Sequence, residues 1–590
     1  MTVSTRPASS SARAPWRLSR RALPAALVLL AGLVPAGARA NPREEFTRQF
    51  QKSIPLAAGQ KLAIEHSHGD VEITTHAEPT VAIDATIRVS SSDREGAQKF
   101  ADEIRIEAGA VPGGVSVRTV YPDKKWNFSG AGFVSYSVDY RIVMPAAAVL
   151  GVRNRFGDVA VTGLKADGDL FNSNGKLVLR GAAGRQRLEN SFGAIELTGL
   201  AGDATIVNGN GAVTATDVAG DLDVRNRFGR TAVVRVGKRC EVVSSNGDVS
   251  LEGAAAASLT ASFGRVEVRT VSGPLSVANS NGSVTAVSVG GRAELATSFG
   301  TVTFSDVRGP VQVTGTNAGV SGRKASQGVT IRTTFGPVDL ADVGGPVEVE
   351  DSNGRILLRD ARGAARLATR FGAVDASGIG GDATVSNGNG PVTLANVEGA
   401  ADVRNSFGET TLSRIHKGAK VVSGNGRVTL ADIGGAAYVK TSFGGVEATR
   451  VAGELTVENS NGGVRATDVK AGAIVRTSFA PVSLERISGA VDVDNQNGSV
   501  DVRTAAGGGA ACPRIALKAS FAPIRLGLDP AGGYAVSART SFGRVSSEIP
   551  VTTSGGLGES SLSGKIGDGR CEVLIQNSNG NIDIVKSAAK

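Results

Sequence analysis

Gly444-Gly445-Val446-Glu447-Ala448-Thr449-Arg450-Val451-Ala452-Gly453-Glu454-Leu455-Thr456-Val457-Glu458-Asn459-Ser460-Asn461-Gly462 is one unit of a repeat that fills most of the 590 residues. Setting Gly444 as position zero puts apolar side chains at +2, +4, +7, +11 and +13, a small polar residue at +15, and Asn before the closing Gly at +17. Two runs of period-two alternation are therefore joined by a corner that holds one apolar residue and a Gly, which reads as two short strands and two bends per unit. Moving outward, the closing dipeptide alternates between Phe-Gly and Asn-Gly from Phe156-Gly157 to Asn497-Gly498. The closing marks fall at 157, 175, 193, 211, 229, 247, 264, 282, 300, 319, 336, 354, 372, 390, 408, 426, 444, 462, 480 and 498, and most intervals are eighteen residues.

A fixed short period of this kind means a solenoid, because each unit can bury its apolar face only against its neighbours. Frequent Gly and a period of two exclude an amphipathic helix here. The expected fold is all-β: a single-stranded parallel β-solenoid (β-helix) of about 18 residues per turn, with an N-terminal α+β cap. Right-handed winding is expected, although a coil of this size is also that of left-handed hexapeptide helices, whose six-residue period is missing.

The +15 position holds Asn154, Asn172, Asn190, Asn208, Asn226, Asn279, Asn387, Asn405, Asn459 and Asn495, with Thr297, Thr333, Thr369, Thr441 and Thr477 among them. Such side chains are expected to hydrogen-bond along a structural ladder at the ~4.8 Å spacing of stacked strands. At +17 the alternation of Phe with Asn reads as a packing device that fills the corner with a large ring on every second turn.

Residues 1–40 read as a signal peptide: Arg6, Arg13, Arg17, Arg20 and Arg21, an apolar stretch from Ala22 to Val34, and Ala38-Arg39-Ala40 before Asn41. The apolar run falls short of the ~20 residues that span a bilayer, so no membrane span is expected after cleavage. Ser19-Arg20-Arg21 leaves twin-arginine export open. The leader carries six Arg and no acid, which leaves 58 basic against 55 acidic residues in the remainder. The alkaline character belongs largely to the leader, and nucleic acid is not an expected partner. Export places Cys240, Cys512 and Cys571 where disulfides persist. Cys512 and Cys571 could pair, while Cys240 sits at an inward position, as a buried inert thiol would.

Residues 41–150 read as an N-terminal cap with one helix, 151–500 as the regular solenoid, and 501–590 as irregular C-terminal turns and a cap. Within the first segment, His66-Ser67-His68-Gly69-Asp70-Val71-Glu72-Ile73 mimics one turn, and Asp93 to Ile104 has a helical face of Ala97, Phe100, Ala101 and Ile104. His66 and His68 share a strand face, as metal ligands would, yet they replace ladder Asn residues and no acid or Cys stands at ligand spacing. Tyr121, Trp126, Phe128, Phe133, Tyr136 and Tyr140 read as the core of the cap or, if at least two rings are exposed, as a platform for a sugar or a partner. Thr316 to Gln327, with Asn317-Ala318-Gly319 in place of the closing motif, reads as a bend or loop and as the best internal candidate for function.

The chain resembles the bacterial putative-adhesin family of β-strand-repeat proteins, known mainly as a domain of unknown function. The resemblance rests on the exported N-terminus, the opening turn Ile64 to Ile73, the approach Val138-Asp139-Tyr140-Arg141-Ile142-Val143-Met144-Pro145 into Asn154-Arg155-Phe156-Gly157-Asp158-Val159, and Leu562-Ser563-Gly564-Lys565-Ile566-Gly567-Asp568-Gly569. It implies a β-solenoid of the cell envelope, with adhesion proposed and no catalytic residues to carry over.

The expected function is accordingly that of a non-enzymatic exported structural or binding protein, periplasmic or at the cell surface. Its expected partner is an envelope or extracellular surface component, protein or glycan. No catalytic, cofactor-binding or metal residues are expected. The alternative is a polysaccharide-active β-helix lyase or hydrolase, which needs converging carboxylates. Asp217, Asp342 and Asp432 instead recur at one corner, which favours corner hydrogen bonding. An ice-binding face would need unbroken Thr columns, and none runs through the repeat.

Overall fold

The computed structural model describes residues 44–122, 134–505, 513–553 and 558–587. The expected leader, Trp126, Phe128, Phe133, Cys512 and most of the Ala505–Pro513 insertion lie outside these residues. The chain is a parallel β-solenoid of about 20 turns with about 18 residues in each. No helix among the described residues is long and apolar enough to cross a membrane.

Each turn lays its two strands in register on the turns before and after. Val446 lies between Val428 and Val464, and Leu455 between Ala437 and Ala473. In the first strand of a turn Val446, Ala448 and Val451 are all buried. Two consecutive intervening residues separate the last pair, so strict alternation must break between +4 and +7. It breaks at +6, where the backbone is left-handed in every turn from Gly163 to Arg486. Gly stands there in five turns (163, 181, 199, 253, 378) and another residue in fourteen, Asp217, Asp342 and Asp432 among them. Asp tolerates this conformation because its short polar side chain bonds locally, whereas Arg and Lys must be held in it by the stack. Asp217 pairs with Arg235, Asp432 with Arg450 and Asp468 with Arg486 on successive turns, with Nη2 to Oδ2 distances of 2.9 Å. These three corner acids are thus partners of the next turn's guanidinium, and pairs so exposed contribute little to stability.

The +15 ladder is buried as expected, but its bonding differs from a side-chain-to-side-chain column. Asn387 Nδ2 donates to the carbonyls of Gly372 and Gly390, both at 2.9 Å, and Asn459 and Asn495 repeat the pattern. Each of these three Asn residues therefore clamps the closing residue of its own turn to that of the preceding one. Asp351 is the one acid in this buried column, and burial raises its pKa. A carboxylate offers no donor to the Gly336 and Gly354 carbonyls. Asp351→Asn supplies one, and is expected to add about 1–2 kcal/mol at neutral pH, the net worth of one or two buried hydrogen bonds. The sign follows from linkage: a raised folded pKa means stability present at low pH and lost as pH rises through that pKa. Thermal melts of the wild type across pH 3–7 carry this loss, and melts of the Asn variant lack it.

The 316–327 segment is no loop. A single strand, Val311–Ala325, runs through it, and Ala318 pairs with Gly300, so Ala318 takes the closing place and the interval there is the ordinary one. Ala318 is buried, and its Cβ lies 2.7 Å from where a side chain at Gly315 would begin, so it fills the gap in the ladder. One turn back, Phe304 points inward, and the ring occupies the place of a side chain at Gly322. Large and small residues compensate between Ala286, Phe304 and Gly322. The corner conformation also changes here. Before it, the closing Gly donates to the Phe carbonyl of the next turn (Gly175 N to Phe192 O, 2.9 Å); after it, Phe donates to the turn before (Phe371 N to Ser352 O, 3.2 Å).

Both ends are laced out of chain order. At the N-terminal end the strands Lys61–Glu65 and Val71–His76 lie between Gly114–Val120 and Ser135–Pro145 on one side and Val149–Phe156 and Val159–Thr162 on the other. Antiparallel strands Glu44–Pro55, Thr80–Ser91 and Arg105–Val111 finish that end. The helix Arg94–Glu103, capped by Asp93 Oδ1 accepting from Gly96 N at 3.0 Å, buries Ala97, Phe100 and Ala101. At the C-terminal end Cys571–Asn577 sits between Ile515–Ala519 and Tyr534–Thr540, and Ile582–Lys586 between Ile524–Leu528 and Val545–Ser547. Ser561–Ile566 then covers Tyr534–Thr540 in antiparallel fashion. A short antiparallel strand thus replaces the open parallel edge that would otherwise recruit other chains. Cys571 is disulfide-bonded, while Cys240 is a free thiol whose burial pushes its pKa up to about 12.

Candidate docking face: an exposed phenylalanine column

The ring at +17 does not fill the corner. Phe156, Phe192, Phe228, Phe263, Phe299, Phe335, Phe371, Phe407, Phe443, Phe479, Phe521 and Phe542 stand outside it, 42–77% exposed. The interior has no room for them. It is already occupied by the +15 side chains, and the closing glycines stack so tightly that a Cβ on Gly193 would fall 2.0 Å from the Gly175 carbonyl oxygen. The bend between +15 and the closing Gly turns the next side chain outward, and stacking then repeats it on every second turn as one column.

Asn fills the intervening turns and keeps to the surface backbone. Asn174 Nδ2 donates to Arg155 O at 3.2 Å, Asn353 to Thr334 O and Asn461 to Ser442 O, both at 3.3 Å. The residue before most rings is small and uncharged: Ser191, Ser262, Ser298, Ser406, Ser442 and Ser478. The result is a row of rings separated by short amides and flanked mostly by low side chains, with Arg155, Arg227 and Arg370 beside three of the rings.

At the N-terminal end the column continues in the cap. His68 bridges to Phe156 and stacks on it with ring centroids 5.1 Å apart and planes 4° apart. Tyr121 on the next turn out meets His68 edge-on at 5.3 Å and donates its hydroxyl to His68 O. The described rings of the expected platform, Tyr121, Tyr136 and Tyr140, are half-buried or buried against each other and Phe100. These three form cap core, and the exposed aromatic surface among the described residues lies along the rod.

His66 and His68 part company. His66 heads the buried +15 ladder, with Nδ1 3.0 Å from Thr119 Oγ1, which in turn lies 2.6 Å from the Tyr140 hydroxyl. Burial lowers its pKa to about 4. His68 belongs to the outer column, and burial and then Arg155 lower its pKa too. No group of three or more His, Cys, Asp or Glu stands at metal-binding distance among the described residues. Since the folded cap takes up the His66 proton less readily than the unfolded chain, its stability is complete above about pH 6.5 and falls toward pH 4, by roughly 3 kcal/mol in all. Hydrogen exchange of the strand Lys61–Glu65 measured across that window is expected to accelerate as pH falls, beyond the intrinsic pH effect, and His66→Asn is expected to remove the acceleration.

The left-handed corner forms a shallow groove of about 820 Å³ whose lining mixes Asp306, Asp342 and Asp360 with Arg308, Lys324 and Arg362. Its acids and bases repeat along the rod. The hydrogen bond from Arg235 holds Asp217 below the usual carboxylate range, and that from Arg450 does the same to Asp432.

No family model matches the chain, and no curated protein matches it. Among solved structures it is similar to a putative cell adhesion protein from Clostridium sporogenes, with TM-score 0.18 and 11% identity over 38% of this chain and 99% of that one. It is also similar to a putative adhesin from Parabacteroides distasonis, with TM-score 0.16 and 11% identity over 56% and 97% of the two chains. A putative adhesin from Parabacteroides merdae gives TM-score 0.13 and 10% identity over 56% and 96%.

Proposed function

We propose that this protein is a non-enzymatic, exported structural and binding rod of the cell envelope, adhesin-like in that its business is contact and not catalysis. The observation that carries the reading is the phenylalanine column: an apolar row displayed on a rigid support along the whole solenoid. Twenty turns at ~4.8 Å make a rod of roughly 95 Å. Repeated exposure of large apolar rings on one face at that scale marks an interaction site. The partner is a component of the envelope or of an opposing surface, protein or glycan, laid along the rod. The leader-like residues 1–40 support export. Cell fractionation combined with protease treatment of intact cells tests the reading. Protein that intact cells expose to protease is the expected result, and a strictly periplasmic or cytoplasmic pool would sink it.

A further inference from the structure

Packing within one molecule does not require ring and Asn to alternate. Tyr121, His68 and Phe156 place rings on three successive turns of the same column, so the corner accepts a ring on every turn. Nor does duplication of a two-turn unit account for the pattern. At the laced C-terminal end the chain order is Phe521, Phe542, Asn579, yet the spatial order is Phe521, Asn579, Phe542, because Cys571–Asn577 enters between the other two turns. Backbone bonds fix that order: Asn579 N donates to Ser520 O, and Phe542 N to Ser578 O. Alternation is thus kept on the surface where it is lost in the chain.

We propose that the column is a self-complementary zipper whose occupant is a second copy of this chain, packed antiparallel about a two-fold axis with each ring seated over an Asn of the other copy. The proposal rests on the reading of the column as a binding face and names what covers it. Rings two turns apart are separated by ~9.6 Å, so an inserted ring lies ~4.8 Å from each neighbour, inside the ~4.5–7 Å range that aromatic pairs prefer. His68 on Phe156 shows this corner holding two rings face to face at one-turn spacing, 5.1 Å. A uniform period reads the same in both directions, which permits a closed two-fold dimer. With rings of about 150–250 Å² each, the exposed fractions amount to on the order of 1,000 Å² per copy. A standard stable interface needs only about 800 Å² from each partner. The low Ser flanks beside most rings let two rods approach, Arg155, Arg227 and Arg370 standing beside three others, and the small net charge outside the leader opposes them little.

Sedimentation equilibrium of the purified protein is the test, with circular dichroism to confirm that each variant keeps its strands. Wild type is expected to be a dimer at micromolar concentration. Replacing Phe263, Phe299, Phe335 and Phe371 by Ser, all at exposed positions, is expected to weaken association by about 100-fold or more. The decisive variant adds apolar surface: Asn281→Phe with Asn353→Phe fills two gaps and is expected to weaken the dimer, because the partner's rings lose their seats. Association as tight as wild type or tighter in the gap-filled variant would mean unspecific stickiness and overturns the zipper. A monomeric wild type overturns it as well. If that monomer is retained on a β-1,4-linked glycan resin through the same rings, the binding-face reading stands with a carbohydrate as occupant. Dimerisation of a protein that intact cells do not expose would leave the zipper standing and remove the adhesin-like role.

Discussion

Gly193→Ala is expected to destabilise the solenoid by about 3–5 kcal/mol, near the upper end for a point substitution, although it adds a single methyl group to a residue in a corner. Two costs act together. Gly193 has a φ of +132°, which an L side chain rarely adopts, and the new Cβ would sit 2.0 Å from the Gly175 carbonyl oxygen. That oxygen belongs to backbone which also accepts from Asn190 Nδ2 at 2.8 Å, so it cannot retreat without loosening the clamp between turns. Gly181→Asp is the matched control. It has a left-handed φ of +61° but open space around it, in a column where Asp217 already adopts the same conformation. Its cost is expected to stay near 1 kcal/mol. Because a stack of repeats can open locally, hydrogen exchange in 170–230 is the measurement of choice, and equal effects from the two variants would refute the close-approach argument.

The second large effect concerns the C-terminal lacing. A chain that stops after Asp568 loses a coil that is last in sequence but inner in space. It removes Val573, Ile575, Ile582 and Ile584, all fully buried, worth roughly 6–12 kcal/mol of apolar burial at ~1.5–3 kcal/mol each. It also strips Ile515–Ala519 and Tyr534–Thr540 of the strand they share, leaving two parallel edges open. Loss of exchange protection throughout 513–547, with aggregation, is the expected outcome. If that region stayed protected in the shortened chain, the shared strand would not be what holds the end together.

Residues with a period in them announced the solenoid well. Val446, Ala448, Leu455 and Val457 alternate as strands must, and an eighteen-residue spacing leaves no other way to bury them. The buried ladder at +15 was equally legible, since small polar residues in that place tolerate stacking, but its bonds to the glycine carbonyls depend on how closely the closing glycines approach. The outward turn of the rings was not legible. Phe at +17 continues the period-two pattern of +13 and +15, and nothing local reveals that the bend has begun; the only hint is the small polar residue before most rings and the Gly after most of them. Thr316–Gln327 misled in the opposite sense, because Ala318 substitutes for Gly in space and Gly322 makes room for Phe304, a compensation between turns that one turn cannot display. The lacing was hidden for a similar reason. Cys571–Asn577 looks like any other strand of the array, and which turns it joins is a long-range choice.

The laced ends also set how the rod answers to pulling. In a plain solenoid a tug on the terminal turn peels it from one neighbour, then the next, each detachment breaking a single ladder of hydrogen bonds. Here the strand nearest the C-terminus, Ile582–Lys586, is gripped on both sides, as are Lys61–Glu65 and Val71–His76 near the start. Tension on the C-terminal tail must extract Ile582–Lys586 from between two others before any unwinding begins, and at the other end the same holds for Lys61–Glu65 once Glu44–Pro55 has peeled from Thr80–Ser91. Forced unfolding is governed by the rate of that first escape, so the two knots of strands act as stoppers, and the regular turns between them stay wound until a stopper fails.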